Sequence, residues 1–216
     1  MQGFSVTLLL TFVALSVGFI LGVIVALGRV YGNKIIAAIC IAYIEIIRGT
    51  PLLVQLFILY FGLPSVGIRL DPLSAALIGL SINSGAYQAE YLRGSLQSIE
   101  SGQMVAARTL GMSKLRSIQY IILPQALRIT IPAWSNELIY LLKYTSIAYI
   151  ITVNELFAEA RFIASDSFRY LEMFSIIAII YLVTTIVFTE IIDRLEKRFR
   201  IPGIGYHKSL EMRAVL

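Results

Sequence analysis

The sequence predicts an all-α integral membrane protein with five transmembrane helices, the N-terminus outside and the C-terminus inside. Two features of the composition point to this class: 58% of the 216 residues are hydrophobic and only 14% are charged, whereas a soluble domain carries about 25% charged residues. The third observation is that most of the charged residues lie between long apolar runs. The net charge of +5 therefore does not indicate nucleic-acid binding, which needs a basic patch on a soluble face.

Three uncharged runs are predicted to be membrane spans. Residues 4–27, 72–89 and 173–189 contain no Asp, Glu, Lys or Arg, and a helix needs about 20 apolar residues to cross the hydrocarbon core. The last run is slightly short, and Tyr170 and Leu171 can extend it. The first run is expected to be a retained helix, because it lacks the basic start of a signal peptide.

Two further apolar regions are interrupted, and each is expected to give one net crossing. Residues 35–63 contain two charged residues and the sequence Gly49-Thr50-Pro51, which should bend or break the helix. In membrane proteins, the backbone groups that such a break frees usually line a cavity. Residues 129–153 contain two further charged residues within an apolar run.

The distribution of basic residues predicts the orientation. Short segments rich in Lys and Arg stay on the cytoplasmic side. Most of the 18 basic residues follow the first span, fill the middle loop or follow the last span: Arg29, Lys34, Arg93, Arg108, Lys114, Arg116, Arg128, Arg194, Lys197, Arg198, Arg200, Lys208 and Arg213. We therefore predict a transmembrane domain over residues 1–200 and a cytoplasmic tail over residues 201–216. The connection 154–172 should be a short amphipathic helix on the outer surface.

The middle loop contains a basic stretch, "MVAARTLGMSKLRSIQYIILPQA", at residues 104–126. It is predicted to form two short helices. The first should end near Gly111, because glycine commonly follows a helix end, and Ser113 should cap the second. The second should end before Pro124. The adjacent Ala106 and Ala107 would let another surface approach closely, so the stretch is expected to dock a partner protein.

The spacing of these residues resembles the "EAA" loop of the permease subunits of ABC importers. Two alanines, three residues, Gly111, nine residues, Ile121, one residue and the pair Leu123-Pro124 follow in that order. The stretches "YIEIIRGTPLLVQL", "INSGAYQAEYLRG", "GQMVAARTLGM" and "LPQALRITIPAWSNELIYLLK" are similar to the polar amino-acid subfamily, and together the matches span nearly the whole chain. One departure is Val105, which stands where the family usually has a glutamate that is expected to pair with a basic group on the ATPase.

The resemblance implies a coupling loop, at about residues 98–124, that forms a coupling helix in a groove of an ATP-hydrolysing subunit. The coupling residues that it implies are Val105, Ala106, Ala107, Arg108, Gly111 and Pro124. The chain itself is expected to be a transport subunit and not an enzyme. It should bind no cofactor, because the nearest match to a phosphate-binding Gly-x-x-x-x-Gly-Lys-Ser/Thr loop lacks the glycine before Lys208. ATP and Mg would be bound by the partner.

The implied partners are an ABC ATPase dimer, a second permease subunit of the same or a homologous kind, an extracytoplasmic amino-acid-binding protein and membrane lipid, with no nucleic acid. The implied location is the prokaryotic cytoplasmic (inner) membrane, which the chain would cross several times. The single His207 has no cluster of Cys or His around it in the sequence, so no metal site is predicted. No catalytic residues are predicted either.

Polar residues within the spans are candidates for a substrate path, because such groups usually face the bundle interior or a water-filled path. The candidates are Arg48, Thr50, Asn83, Tyr87, Asn136, Glu137, Tyr140, Lys143 and Tyr144. Arg48 could instead form an ion pair with Glu45, three residues away on the same helical face. Asn83 and Tyr87 could instead serve helix packing, and Glu90 is assigned to the cytoplasmic surface.

The charges of Glu137 and Lys143 cannot pair along one helix, because they are six residues apart. Each is expected to meet another helix, a second subunit or a ligand, and an amino acid offers both charges. Tyr144 stands where relatives usually have a small polar or acidic residue, which favours neutral or acidic amino acids over cationic ones.

Two rival functions belong to other classes. One is a secondary transporter or channel subunit driven by an ion gradient, a class that often shows internal repeats, and no repeat is visible in this sequence. The other is a membrane scaffold without transport, which would leave the polar faces of the spans unexplained. Co-purification of an ATPase subunit would separate the permease from both.

Overall fold

The structure is a computed structural model and describes residues 2–199. The regular elements of this part of the chain are all helical, so the all-α part of the predicted fold class is confirmed. The α-helices are α1 (Gln2–Tyr31), α2 (Lys34–Gly49), α3 (Leu52–Phe57), α4 (Pro72–Ser98), α5 (Ser101–Thr109), α6 (Lys114–Ser117), α7 (Leu123–Tyr144), α8 (Leu156–Ser167) and α9 (Tyr170–Phe199). The predicted cytoplasmic tail, residues 201–216, lies outside the described residues.

Helices α1 and α9 are long and apolar enough to cross a membrane. Helix α2 and the following helical turns, Leu52–Val66, pass the same test together, but they are bent by 102°. Helices α4 and α7 are 27 and 22 residues long and more polar, because they carry the charged and amide side chains that were assigned to a path. Three of the five predicted spans thus meet a test of length and composition, and the full count stays a prediction.

Glycines let α1 pack closely against α4. A Cβ atom added to Gly18 would lie 2.9 Å from Gln88 Nε2 and 3.1 Å from the backbone nitrogen of Gly85. A Cβ atom on Gly22 would lie 2.9 Å from Gln88 Cβ. Small residues let two membrane helices approach closely. The contact places α4 in the centre of the structure, with α1 on one side and α7 on another.

The predicted break at Gly49-Thr50-Pro51 is confirmed, and side chains satisfy the carbonyl groups that it frees. The Thr50 hydroxyl donates to the Ile46 carbonyl over 2.8 Å. The Gln55 side-chain amide donates to the carbonyls of Ile47 and Thr50 over 2.7 and 3.1 Å. Because these groups already have partners, the break itself is a stable corner between α2 and α3.

The two short helices of the basic stretch are confirmed, but the second does not end before Pro124. Gly111 adopts a left-handed backbone with φ of 86° after α5, and the Ser113 hydroxyl caps α6 by accepting from the Arg116 backbone over 3.3 Å. From α6 the chain continues through a π-helical turn, Ile118–Ile122, straight into α7. Pro124 lies in the first turn of α7, where a proline is tolerated. The wider π-helical turn directly precedes it.

Carboxylates cap the starts of α4 and α8. Asp71 begins α4 and accepts from the Ser74 backbone over 3.1 Å, and hydrogen bonds from Ser74 lower the pKa of Asp71. The buried Glu155 begins α8 and accepts from the backbones of Phe157 and Ala158 over 2.9 and 2.8 Å. The short helix predicted in the connection 154–172 is confirmed as α8, whereas its place on the outer surface stays a prediction.

Candidate functional site

One face of α7 carries four of the predicted path residues. Asn136, Tyr140, Lys143 and Tyr144 are all exposed, and we call them the exposed α7 face. The rings of Tyr140 and Tyr144 stack with centroids 6.2 Å apart, and the Lys143 ammonium lies 5.2 Å from the centre of the Tyr140 ring. This cation–π contact holds a positive charge on the face without neutralising it.

Glu137 borders this face of α7 but turns its side chain inside the helix bundle. Only 5% of its surface is exposed, and its carboxyl group accepts hydrogen bonds from Ser84 over 2.7 Å and from Tyr91 over 3.3 Å. Both partners belong to α4. The expectation that Glu137 faces an aqueous path beside Lys143 is therefore not met, because polar groups of a neighbouring helix receive it instead.

Glu137 ends a chain of buried polar groups that joins three helices. The Gln88 amide donates to Ser84 over 2.9 Å and to the carbonyl of Leu15 in α1 over 3.2 Å. The Gln88 side-chain oxygen is buried without a hydrogen-bond partner in the described part of the chain. This network was not predicted from the sequence. Its signal was the spacing of Ser84, Gln88 and Tyr91, which recur at one helical face just as the chosen Asn83 and Tyr87 do.

The remaining path candidates lie around the corner between α2 and α3. Asn83 is buried, and its amide donates to the Gln55 side chain over 3.1 Å. Helix packing, the alternative given for it, therefore describes Asn83 better than a path-lining role does. Tyr87 is half-buried, and the Arg48 guanidinium lies 5.1 Å from the centre of its ring. Thr50 is exposed and bonded to its own helix.

Glu90 does not simply reach the surface, as the sequence suggested. Its half-buried carboxylate is bonded to Arg29 of α1, lies 2.9 Å from Arg93 of α4 and lies 3.7 Å from Arg48 of α2. Arg48 therefore pairs with Glu90, and Glu45 is exposed. One acid holds three helices together here, and the three guanidinium groups leave an excess of positive charge.

In the coupling loop, the two alanines point in different directions. Ala106 is exposed, whereas Ala107 is 5% exposed and packs within the protein. The expectation that both face a partner is therefore wrong for Ala107, because one residue along a helix turns the side chain by about 100°. Val105 is exposed, and Arg108 donates to the Met112 carbonyl over 3.2 Å across the turn at Gly111.

Two contacts anchor the coupling loop to long helices. The Lys114 ammonium donates to the Tyr31 carbonyl, the last residue of α1, over 3.1 Å and lies 5.8 Å from the centre of the Tyr31 ring. The Gln125 amide, in the first turn of α7, donates to the Gln103 side chain in α5 over 2.6 Å. Pro124 is exposed beside this contact. The loop is therefore bonded directly to α1 and α7.

The chain matches a family model described as the inner membrane component of binding-protein-dependent transport systems, over residues 18–201. It is similar to the glutamine transport system permease protein GlnP of Escherichia coli (strain K12), with 39% identity over 93% of this chain and 92% of that protein. It is also similar to the probable amino-acid ABC transporter permease protein YckA of Bacillus subtilis (strain 168), with 40% identity over 92% and 88%.

Two solved structures resemble this fold. A crystal structure of an amino acid ABC transporter with histidines superposes with a TM-score of 0.84 at 41% identity, over 91% of this chain and 92% of that one. The MetNI methionine ABC transporter in an inward-facing conformation superposes with a TM-score of 0.78 at 21% identity, over 93% and 95%. The second likeness concerns the fold alone.

Proposed function

The chain belongs to the family of inner membrane components of binding-protein-dependent transport systems, and from that premise we propose that it forms half of the path by which an ATP-driven importer moves a polar amino acid. It is a permease subunit and not an enzyme. Relatives named as glutamine and amino-acid permeases, matched over more than nine-tenths of the chain, support the class of substrate. The observation that carries the proposal is the exposed α7 face, a polar surface on a helix within a largely apolar bundle.

The proposed topology has five spans in the prokaryotic cytoplasmic (inner) membrane, within a transmembrane domain of residues 1–200. Helices α1, α4, α7 and α9 each cross once, and α2 with the turns after the corner makes the broken crossing. The N-terminus and α8 lie outside, and the coupling loop and tail lie inside. The basic residues on the predicted cytoplasmic side support this arrangement.

The proposed assembly contains a second permease subunit, an ATPase dimer at the coupling loops and an amino-acid-binding protein outside. Binding and hydrolysis of ATP with Mg, both held by the ATPase, supply the energy. In this chain, the contact of Lys114 with α1 and that of Gln125 with α5 pass the movement of the loop to the spans. The exposed α7 faces of the two permease subunits would then move apart or together. This movement would switch access to the path between the two sides of the membrane.

The charges on the exposed α7 face favour a neutral or acidic amino acid. The face offers the Lys143 ammonium, and within α7 the one carboxylate, Glu137, is turned to the interior. A substrate carboxylate would be attracted to Lys143, whereas the side chain of arginine or lysine would meet a like charge. The stacked rings of Tyr140 and Tyr144 narrow the space beside Lys143.

The test is uptake by vesicles that contain this chain, its ATPase and its binding protein. Uptake of labelled glutamine and glutamate should exceed uptake of arginine at equal binding-protein saturation. Tyr140→Ala should reduce uptake at least several-fold and leave assembly and basal ATP hydrolysis intact, because it removes the ring that holds Lys143. Tyr140→Phe is the matched control, since it keeps the ring. Uptake that needs an ion gradient and no ATPase would contradict the proposed function.

A further inference from the structure

Three arginines from α1, α2 and α4 surround the carboxylate of Glu90. Arg29 is bonded to it, and Arg93 and Arg48 lie 2.9 and 3.7 Å from it. Arginine side chains stay charged, so this cluster holds three positive charges and one negative charge. Each of the four side chains is only 16% to 38% exposed, so water screens the charges incompletely. Charged groups within membrane helices are usually paired, and the excess charge is therefore favourable only with an anion beside it.

Arg48 is the arginine of the cluster whose hydrogen-bond donors are unused. In the described part of the chain its guanidinium contacts only Glu90, over 3.7 Å, and the Tyr87 ring, whose centre lies 5.1 Å away. Both oxygens of Glu90 already accept hydrogen bonds from Arg29 or Arg93. A guanidinium has five N–H donors in a planar fork that matches a carboxylate or a phosphate. Arg48 therefore offers a fork that an oxyanion can occupy.

The cluster lies where charges first appear after two uncharged runs. Arg29 is the first charged residue after residues 4–27, and Glu90 directly follows residues 72–89. In the proposed topology, both positions lie at the cytoplasmic edge of the hydrocarbon layer. Basic pockets between membrane helices on this side are typical sites for anionic lipid head groups. Helix α2 also exposes an apolar stripe on which an acyl chain could lie: Ile35, Ile39, Ala42 and Ile46.

We propose that Arg29, Arg48 and Arg93 form a binding site for a phosphate group, carried by an anionic lipid of the inner leaflet or free in the cytoplasm. Arg48 donates hydrogen bonds to the phosphate oxygens. Arg29 and Arg93 add positive charge, and Glu90 holds both in place. The inference rests on the proposed topology, which places the cluster at the cytoplasmic edge of the membrane, and it does not need the proposed transport.

A transported amino acid is another oxyanion that could reach Arg48. Its ammonium group would need an acceptor, and the oxygens of Glu90 are already bonded to arginines. Glu45 is exposed on α2, three residues before Arg48, and is the carboxylate that could take this role. An amino acid with both charges gains little from two excess positive charges, whereas the phosphate of an anionic lipid carries no cation beside it. The charge of the cluster therefore favours a phosphate.

The experiment measures the unfolding temperature of the full chain in neutral detergent as phosphatidylglycerol or phosphatidylcholine is added. Phosphatidylglycerol should stabilise the chain at lower concentration, because phosphatidylcholine carries a cation next to its phosphate. Arg48→Gln should raise the apparent Kd for phosphatidylglycerol roughly fivefold, the contribution of one basic group at an anionic surface. The matched control is Arg69→Gln, which removes an exposed arginine outside the cluster and should leave the Kd unchanged. Competition by inorganic phosphate, against chloride at equal ionic strength, shows whether the site also takes free phosphate.

A second variant decides the matter if Arg48→Gln does not fold. Tyr87→Leu keeps all three arginines and removes the ring beside Arg48. It should weaken binding of phosphatidylglycerol by roughly two- to fivefold, the worth of a cation–π contact at an exposed site. Unchanged binding in the folded variant of the two would overturn the inference, and so would equal binding of the two lipids by the unaltered chain.

A substrate site would give a different result. Glutamine or glutamate would then displace phosphatidylglycerol, and Glu45→Gln would weaken that displacement, which would overturn the proposed phosphate site. Loss of lipid binding to the cluster would leave the proposed function untouched, because uptake by vesicles tests that function separately.

Discussion

The ammonium of Lys114 donates a hydrogen bond to the carbonyl of Tyr31, and the 3.1 Å contact joins the coupling loop to the C-terminal end of α1. The two residues are 83 positions apart in the sequence. A cation at the C-terminus of a helix is favourable because the carbonyl groups there carry partial negative charge. In the proposed mechanism, this contact pulls α1 when the loop moves.

Replacing Lys114 should weaken coupling. We expect Lys114→Met to lower the amount of amino acid transported per ATP hydrolysed by roughly two- to tenfold, since a single hydrogen bond contributes about 0.5–1.5 kcal/mol. Lys114→Arg keeps a donor and should retain most of the coupling. Vesicles that report uptake and phosphate release together provide the measurement, and an unchanged ratio for Lys114→Met would show that α1 is driven by another contact.

Gly111 should tolerate few replacements. Its φ of 86° is a left-handed conformation, which costs about 1–2 kcal/mol for a residue with a Cβ atom. No atom lies within 4 Å of an added Cβ, so the cost comes from the backbone and not from a clash. We expect Gly111→Val to uncouple ATP hydrolysis from uptake and Gly111→Asn to be milder, because asparagine adopts this conformation more readily. Equal uptake by both variants would argue against a role for the turn.

The two alanines of the loop should behave differently. Ala106 is exposed and Ala107 is buried. Ala106→Glu should block association with the ATPase while the chain keeps its thermal stability. Ala107→Glu should instead lower the stability of the chain itself, because a carboxylate without a partner would be buried. Thermal unfolding in detergent and co-purification of the ATPase separate the two effects, and identical behaviour would mean that the loop packs in another way.

Glu137 should matter for stability more than for the path. Glu137→Leu would leave the hydroxyl groups of Ser84 and Tyr91 without their acceptor, and a buried polar group without a partner costs about 1–3 kcal/mol. We expect a lower unfolding temperature for this variant. Glu137→Gln keeps an acceptor and should retain most of the stability and uptake. If Glu137→Gln lost uptake while keeping its full stability, Glu137 would have a role in the path after all.

The orientation can be tested with single cysteines after the native Cys40 is replaced by serine. Cysteines at Ser65 and Asp166, both exposed, should react with an impermeant reagent applied from outside. The cytoplasmic probe is best placed at the exposed Thr109, because Ser113 caps α6. A cysteine at Thr109 should react only after the membrane is opened. The reverse pattern would contradict the five-span topology.

Local features of the fold could be predicted because they depend on nearby residues. The Ser113 cap, the left-handed Gly111 and the break before Pro51 each follow from the backbone chemistry of one to four residues. Pro124 shows the limit of such rules. The sequence predicted a helix end there, but the chain continues through a π-helical turn, because a proline in the first turn of a helix interrupts no hydrogen bond within that helix.

The direction of the polar side chains could not be predicted in the same way. Asn136 and Glu137 are neighbours on α7, yet one is exposed and the other is buried against Ser84. Glu90 was assigned to the surface but binds arginines from α1 and α2 as well as its own helix. Helical spacing shows which residues share a face, but it does not show which face meets a neighbouring helix and which stays open.

The sequence by itself determined the class of the protein, the helices with their local caps and breaks, and the resemblance that the family match confirms. These properties follow from composition, from periodicity and from short-range backbone geometry. Only the tertiary structure decided that Glu137 and Asn83 are internal, that Ala107 packs inward and that Glu90 joins three helices. Those outcomes depend on which face each of α1, α2, α4 and α7 turns towards its neighbours. The orientation of the helices is set by the packing of residues such as Gly18 and Gln88. These two residues lie 70 positions apart in the sequence, so no local pattern reveals their contact.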